Sequence, residues 1–95
     1  MNRLIISLII LFPLLCESQS AIQDSLLNLL ETKPQSEHAY IYNELASINL
    51  REEKLRESSD LAHKALKLAK EFNLPEEEYY AFTNIAFIYY DLGKY

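Results

Sequence analysis

The sequence predicts an all-α fold of antiparallel helical hairpins, and three observations carry that expectation. The first is an internal match. Slid back by 40 residues, Tyr79 to Tyr95 lies over Ala39 to Leu55, so that Tyr80 meets Tyr40, Phe82 meets Tyr42, Ile85 meets Leu45, Ala86 meets Ala46, Ile88 meets Ile48 and Lys94 meets Lys54. Self-similarity at such a period marks a chain built of stacked supersecondary units. The second is composition: 49% of the residues are hydrophobic, Ala and Leu are plentiful and there is one glycine, a balance that favours packed helices over disorder or a sandwich of short strands. The third is the recurrence of apolar residues at three- and four-residue spacing from Ile22 onward, the period of a helix with one buried face.

The first 20 residues read as a targeting segment. Arg3 supplies a positive charge, and Leu4 to Leu15 is apolar except for Ser7 and Pro13. A bilayer span needs roughly 20 residues, so this run suits the apolar core of a secretory signal, with small residues at Ser18 and Ser20 for cleavage after either. Residues 1–20 are therefore expected to be a signal peptide, and the rest of the chain to be exported across the inner membrane to the periplasmic side, or tethered to that membrane in a longer form. An uncleaved anchor or a buried helix is the plainer alternative. Cys16, the only cysteine, falls in this segment. A lipidation site there would want a small residue before the cysteine, and Leu15 is not one. Without the leader no disulfide and no cysteine metal site can form, and about 75 residues remain for a core, near the lower edge of what folds alone.

Ala21 to Thr32 carries Ile22, Leu26, Leu29 and Leu30 at helical spacing, with Leu27 widening the stripe. Ser20 can cap it, Asp24 suits the positive end of the dipole, and Lys33-Pro34 ends it because a residue before proline is pushed out of the helical region. Residues 21–33 thus make an N-terminal capping helix. Ser36 is the expected N-cap of a second helix reaching about Leu50, with one stripe at Tyr42, Leu45, Ala46 and Asn49 and another at Tyr40, Asn43, Ser47 and Leu50. The Arg51-Glu52-Glu53-Lys54 stretch has no Gly or Pro, and propensity alone would allow one helix from Ser36 to Phe72. A turn is expected because the matching stretch forty residues on carries Gly93, a helix breaker.

Leu55 to Phe72 is the third helix. Its edge of Leu55, Ser58, Ala62, Ala65, Ala69 and Phe72 is joined by Leu61, Leu66 and Leu68, and its small residues let a neighbour approach closely. Arg56, Lys64, Lys67 and Lys70 offset Glu57, Asp60 and Glu71, with lysines toward the C-terminal half as the dipole favours. Asn73 can stop the helix in a left-handed conformation. Pro75 opens the fourth, with Glu76, Glu77 and Glu78 in its first turn.

Taken together, these residues resemble a tetratricopeptide repeat array, in which a first helix carries a bulky residue, then Leu and a small residue, then an aromatic, before a turn with Gly and an aromatic. The later copy matches at Phe82, Ile85, Ala86, Tyr89, Gly93 and Tyr95. The earlier copy matches at Tyr42, Leu45, Ala46, Leu55, Ser58, Ala62, Ala65 and Leu66, and departs at Asn49, where an aromatic is usual, and at Glu53, where Gly is usual. Its period exceeds the family's common length of about 34. The resemblance covers Ile22 to Tyr95 and implies a TPR-like α-solenoid, incomplete at the C-terminus: repeat 1 at 36–74, then the first helix and turn of repeat 2 at 75–95. The leader, the amphipathic first helix and Tyr42-Asn-Glu-Leu-Ala46 also look like the N-terminal sensor regions of bacterial signalling proteins that continue into a transmembrane helix and a histidine kinase or helix-turn-helix output domain.

In such arrays the first helices of successive repeats line a groove that holds a protein or peptide segment. By position the groove would comprise Tyr40, Asn43, Ser47, Leu50 and Arg51, then Tyr80, Thr83, Phe87, Tyr90 and Asp91. With Phe82, Ile85, Ala86 and Tyr89 reading as the core face, Tyr80, Phe87 and Tyr90 form a second apolar stripe, and tyrosine joins large contact area to a hydroxyl. The plainer reading of these aromatics is packing against a following helix. Only Arg51 could help to clamp a peptide carboxylate, so that specificity is not expected. The open aromatic helix is expected either to belong to a longer polypeptide or to self-associate.

Other function classes fare poorly. The net charge is −5 with acids and bases interspersed, which disfavours nucleic acid and anionic membrane surfaces as partners. Membrane contact is expected only through the leader or a downstream segment. Asp60 and His63 share a helical face, but no third ligand completes a metal site, and a solvated pair on a charged face is the ordinary reading. Ser58 and Ser59 lack a nucleophile elbow, and a single glycine cannot make a phosphate loop. No cofactor, metal or enzymatic activity is expected.

Overall fold

A computed structural model describes residues 21–93; residues 1–20, where a signal peptide is expected and which include Cys16 and Ser20, and Lys94 and Tyr95 lie outside the described residues. Within that span every regular element is helical and no strand occurs. Helix α1 covers 21–32, a 3-10 turn spans Gln35–Glu37, and α2 (His38–Arg51), α3 (Leu55–Glu71) and α4 (Pro75–Leu92) follow. No helix among the described residues is long and apolar enough to cross a membrane.

Each helix runs back along its predecessor. From α1, Leu26 packs with Ile41, Leu45 and Ile48 of α2, while Leu29, Leu30 and Leu61 close around them. Ile22 and Leu27 remain largely exposed, so the α1 stripe is narrower than its sequence suggests, because α2 covers only the line through Leu26. A second cluster joins Ala39 to Leu68 and Ala69, flanked by Tyr42, Phe72 and Leu74. Full burial of a side chain the size of Leu or Ile stabilises by about 1.5–3 kcal/mol, and the first cluster buries four such side chains.

The small residues of α3 set how closely the helices approach. Ser58, Ala62, Ala65 and Ala69 are fully buried, as is Ala46 opposite. With no bulk between them the backbones come close enough for Ser58 Oγ to donate 2.8 Å to the Ala46 carbonyl. On the outer side, Lys64 and Lys70 place their ammonium groups 5.6 Å from the ring centres of Tyr42 and Phe82 respectively, contacts in which the ring quadrupole attracts the cation.

The turn expected at Arg51–Lys54 is present, and it has the same construction as the one before Pro75. At the first, Glu53 donates to Leu50 O and Lys54 to Asn49 O; at the second, Asn73 donates to Lys70 O and Leu74 to Ala69 O. These paired bonds make a Schellman motif, which requires a left-handed residue after the cap. Glu53 (φ 61°) and Asn73 (φ 55°) fill that place. Asn tolerates this region through local hydrogen bonding, whereas Glu pays the steric cost of its Cβ. The resemblance places a glycine at the Glu53 position, and the backbone there has the shape a glycine favours. Gly93, by contrast, is right-handed at φ −68°.

Two expectations are corrected. Ser36 does not cap α2: it lies within the 3-10 turn, the N-cap position falls to Glu37, and no side chain caps the helix. Extended Pro34 instead accepts the Glu37 N–H on its own carbonyl at 2.9 Å, and the His38 imidazole donates back to the Lys33 carbonyl at 2.9 Å, which ties the start of α2 to the chain before it. In α4 the core face is Ala81, Asn84 and Ile88, not Phe82, Ile85, Ala86 and Tyr89. Phe82 is 49% and Tyr89 66% exposed, Ala86 is also exposed, and Ile85 alone of the four is half-buried. The reason is geometric: α2 and α3 both approach α4 from the side of Ala81 and Ile88.

Candidate partner-binding groove

Helices α2 and α4 run in the same direction, and a line of polar contacts joins them. Asn43 Nδ2 donates to both the backbone carbonyl and Oε2 of Glu77, each at 2.9 Å. One register further on, Ser47 Oγ donates 3.2 Å to Asn84 Oδ1, and Asn84 Nδ2 donates 3.3 Å to the Asn43 carbonyl. Both partners of the Asn43 amide nitrogen are pure acceptors, so the orientation of that amide is fixed chemically. Its Oδ1 has no partner, although Asn43 is only 4% exposed. An orphaned buried acceptor of this kind costs on the order of 1–3 kcal/mol.

Above this seam lies a cleft of about 390 Å³ lined by Tyr40, Asn43, Glu44 and Ser47 of α2 and by Glu77, Tyr80, Thr83 and Asn84 of α4. Tyr40 and Tyr80, forty residues apart, each expose about half of their surface. The two carboxylates carry the only formal charges in the lining, so the cleft is acidic. Thr83 spends its hydroxyl on the Tyr79 carbonyl at 2.9 Å, which leaves its methyl group to the wall.

Of the residues assigned by position, Tyr40, Asn43, Ser47, Tyr80 and Thr83 therefore share this cleft. Phe87 and Tyr90 line a shallow depression beside it together with Thr83 and Ala86. Arg51 does not join them: it lines a separate hollow with Ile22, Ile48 and Glu52, at the last turn of α2 beside α1. Leu50 and Asp91 are half-buried and line neither. Position alone missed Glu44, Glu77 and Asn84. A polar Asn inside the apolar run from Ala81 to Tyr90 is the signal that could have found one of them, because a buried amide needs a partner.

Two of the residues weighed for chemistry, Ser58 and His63, are engaged with backbone, and Ser59 Oγ lies 3.4 Å from His63 Nδ1. His63 Nδ1 sits 2.7 Å from the Ser59 carbonyl, and Ser58 is buried on Ala46 O. Among the described residues no group of three or more His, Cys, Asp or Glu could hold a metal ion. Compared with protein-family models, with curated proteins and with solved structures, the chain matches none.

Proposed function

We propose that this chain is a non-enzymatic, TPR-like helical-repeat module that binds a segment of a partner protein in the cleft between α2 and α4, as the exported N-terminal part of a signalling protein. The observation that carries this reading is the meeting of Tyr40, Asn43 and Ser47 with Tyr80 and Thr83 around one cleft. Half-exposed tyrosines offer large, rigid contact area at small entropic cost, and the polar seam beneath holds the two walls at a fixed spacing. No chemistry is assigned to the chain: Ser58 is buried on the Ala46 carbonyl, and the exposed Ser59 Oγ–His63 Nδ1 contact of 3.4 Å involves a ring nitrogen already 2.7 Å from the Ser59 carbonyl. Export rests on the leader sequence, and an intact-mass measurement on protein recovered from the periplasm should show cleavage after Ser18 or Ser20.

Selection of displayed peptides against the full chain tests the binding reading. Enriched peptides should lose binding to Tyr40→Ala and Tyr80→Ala but keep it with Phe82→Ser. Peptides that bind all three variants alike, or no enrichment, would sink it.

The exposed face of α4 supports a second reading, self-association. Phe82 and Tyr89, 49% and 66% exposed, flank half-buried Ile85 on a surface that α3 touches only along its edge. Sedimentation of the full chain across a concentration series should then show a dimer that Phe82→Ser disperses.

A further inference from the structure

We infer that the α2–α4 cleft selects an arginine side chain of its partner; this rests on the proposed binding role and names the chemistry that the cleft reads. Three independent features converge on a donor-rich cation. Asn43 Oδ1 is buried and unpartnered in a side chain that lines the cleft, so an incoming group gains most there by donating a hydrogen bond. Glu44 and Glu77 supply negative charge with no Lys or Arg in the lining. Tyr40 and Tyr80 present rings on opposite helices. Elsewhere the chain already sets cations over its rings, Lys64 over Tyr42 and Lys70 over Phe82; among the described residues, no cation lies over Tyr40 or Tyr80.

The guanidinium suits this set better than an ammonium. It is planar, carries five donors in a fixed fork and stacks on aromatic faces. One edge can serve a carboxylate while the plane lies against a tyrosine ring, and a small outward shift of the buried Asn43 amide would bring its Oδ1 to the guanidinium as well. An anionic segment would meet two carboxylates and an orphan acceptor, and a neutral one would leave the charge unused.

The test is a titration of the isotopically labelled full chain, followed by NMR, with a capped peptide of Gly and Ser bearing one central Arg. Parallel titrations put Lys, citrulline or Glu in place of that Arg. The Arg peptide should shift the Asn43 side-chain amide and the Tyr40 and Tyr80 resonances saturably and less strongly at high salt. Citrulline keeps the shape but loses the charge, and it should bind at least about tenfold more weakly, as expected for loss of a charge-assisted bond. Tyr80→Ala and Glu44→Gln alter exposed groups, and each should weaken Arg binding by about two- to fivefold. Citrulline or Glu peptides that bind these residues as well as Arg would overturn the selectivity while leaving the groove reading intact. A Lys peptide matching the Arg one would overturn the choice of guanidinium. If no peptide shifts the groove residues, the arginine reading falls, and the displayed-peptide selection decides the groove reading separately.

Discussion

Helices α2 and α4 carry the same motif forty residues apart, yet the structure treats the two copies differently. In α2, Leu45 is 1% exposed, Ala46 is fully buried and Asn49 is 6% exposed. Their counterparts in α4 are half-buried Ile85, exposed Ala86 and Tyr89. Local propensity cannot explain the difference, because both stretches are regular helix. Neighbours explain it: α2 lies against α1, α3 and α4, whereas the Phe82–Tyr89 side of α4 meets only the edge of α3, through Lys70 at Phe82 and through Leu55, Arg56 and Ser59 beside Ile85 and Tyr89. The stripe is buried by the following helix of its hairpin, here α3 with its line of Ser and Ala. A hydrophobic pattern therefore reports a capacity for burial, and the partner decides whether it is used.

The sharpest way to break this comparison is truncation at matched sites. Leu45→Ala should cost about 2–5 kcal/mol, the range for emptying a packed core position, whereas Ile85→Ala should cost well under half of that. Urea unfolding followed by circular dichroism reads both, and equal losses would contradict the asymmetry. Next in size is Ala65→Leu. Added bulk where α3 approaches its neighbours should destabilise by about 1–3 kcal/mol, while Ala86→Leu on the open face should leave the midpoint almost unmoved. Glu53→Gly removes a Cβ from a left-handed position and should stabilise by about 0.5–1 kcal/mol. Asn73→Gly at the other turn should gain less, since Asn already tolerates that conformation. Smallest of all, Tyr89→Ser should shift stability by no more than about 0.5 kcal/mol; a larger loss would mean that another surface covers this ring in solution.

The helices were largely legible in the sequence. Lys33-Pro34 and Asn73-Leu74-Pro75 mark their boundaries through backbone sterics alone, and the fully buried Ser58, Ala62, Ala65 and Ala69 are the small-residue edge read from spacing. The turn at Glu53 could be read only by borrowing Gly93 from the other copy, because no local residue announces it. Burial in α4 was misread since the matched positions were given the same role, and role follows from neighbours. The cleft was half legible. Tyr40 and Tyr80 follow from the period, but the bonds across the seam join Asn43 to Glu77 and Asn84, at offsets the period does not supply. Arg51 shows the opposite failure: its place on the helix is right, but its neighbours at that last turn are Ile22 and Glu52.

The two corners of this chain, at Glu53 and Asn73, close with the same pattern of main-chain bonds although their side chains share nothing. What bends the polypeptide there is main-chain geometry that many sequences can adopt, so each bend travels with the helix it terminates. A gene segment encoding one helix and its bend could be copied or deleted without redesigning the joints on either side, and growth by whole units would be mechanically simple for such a chain.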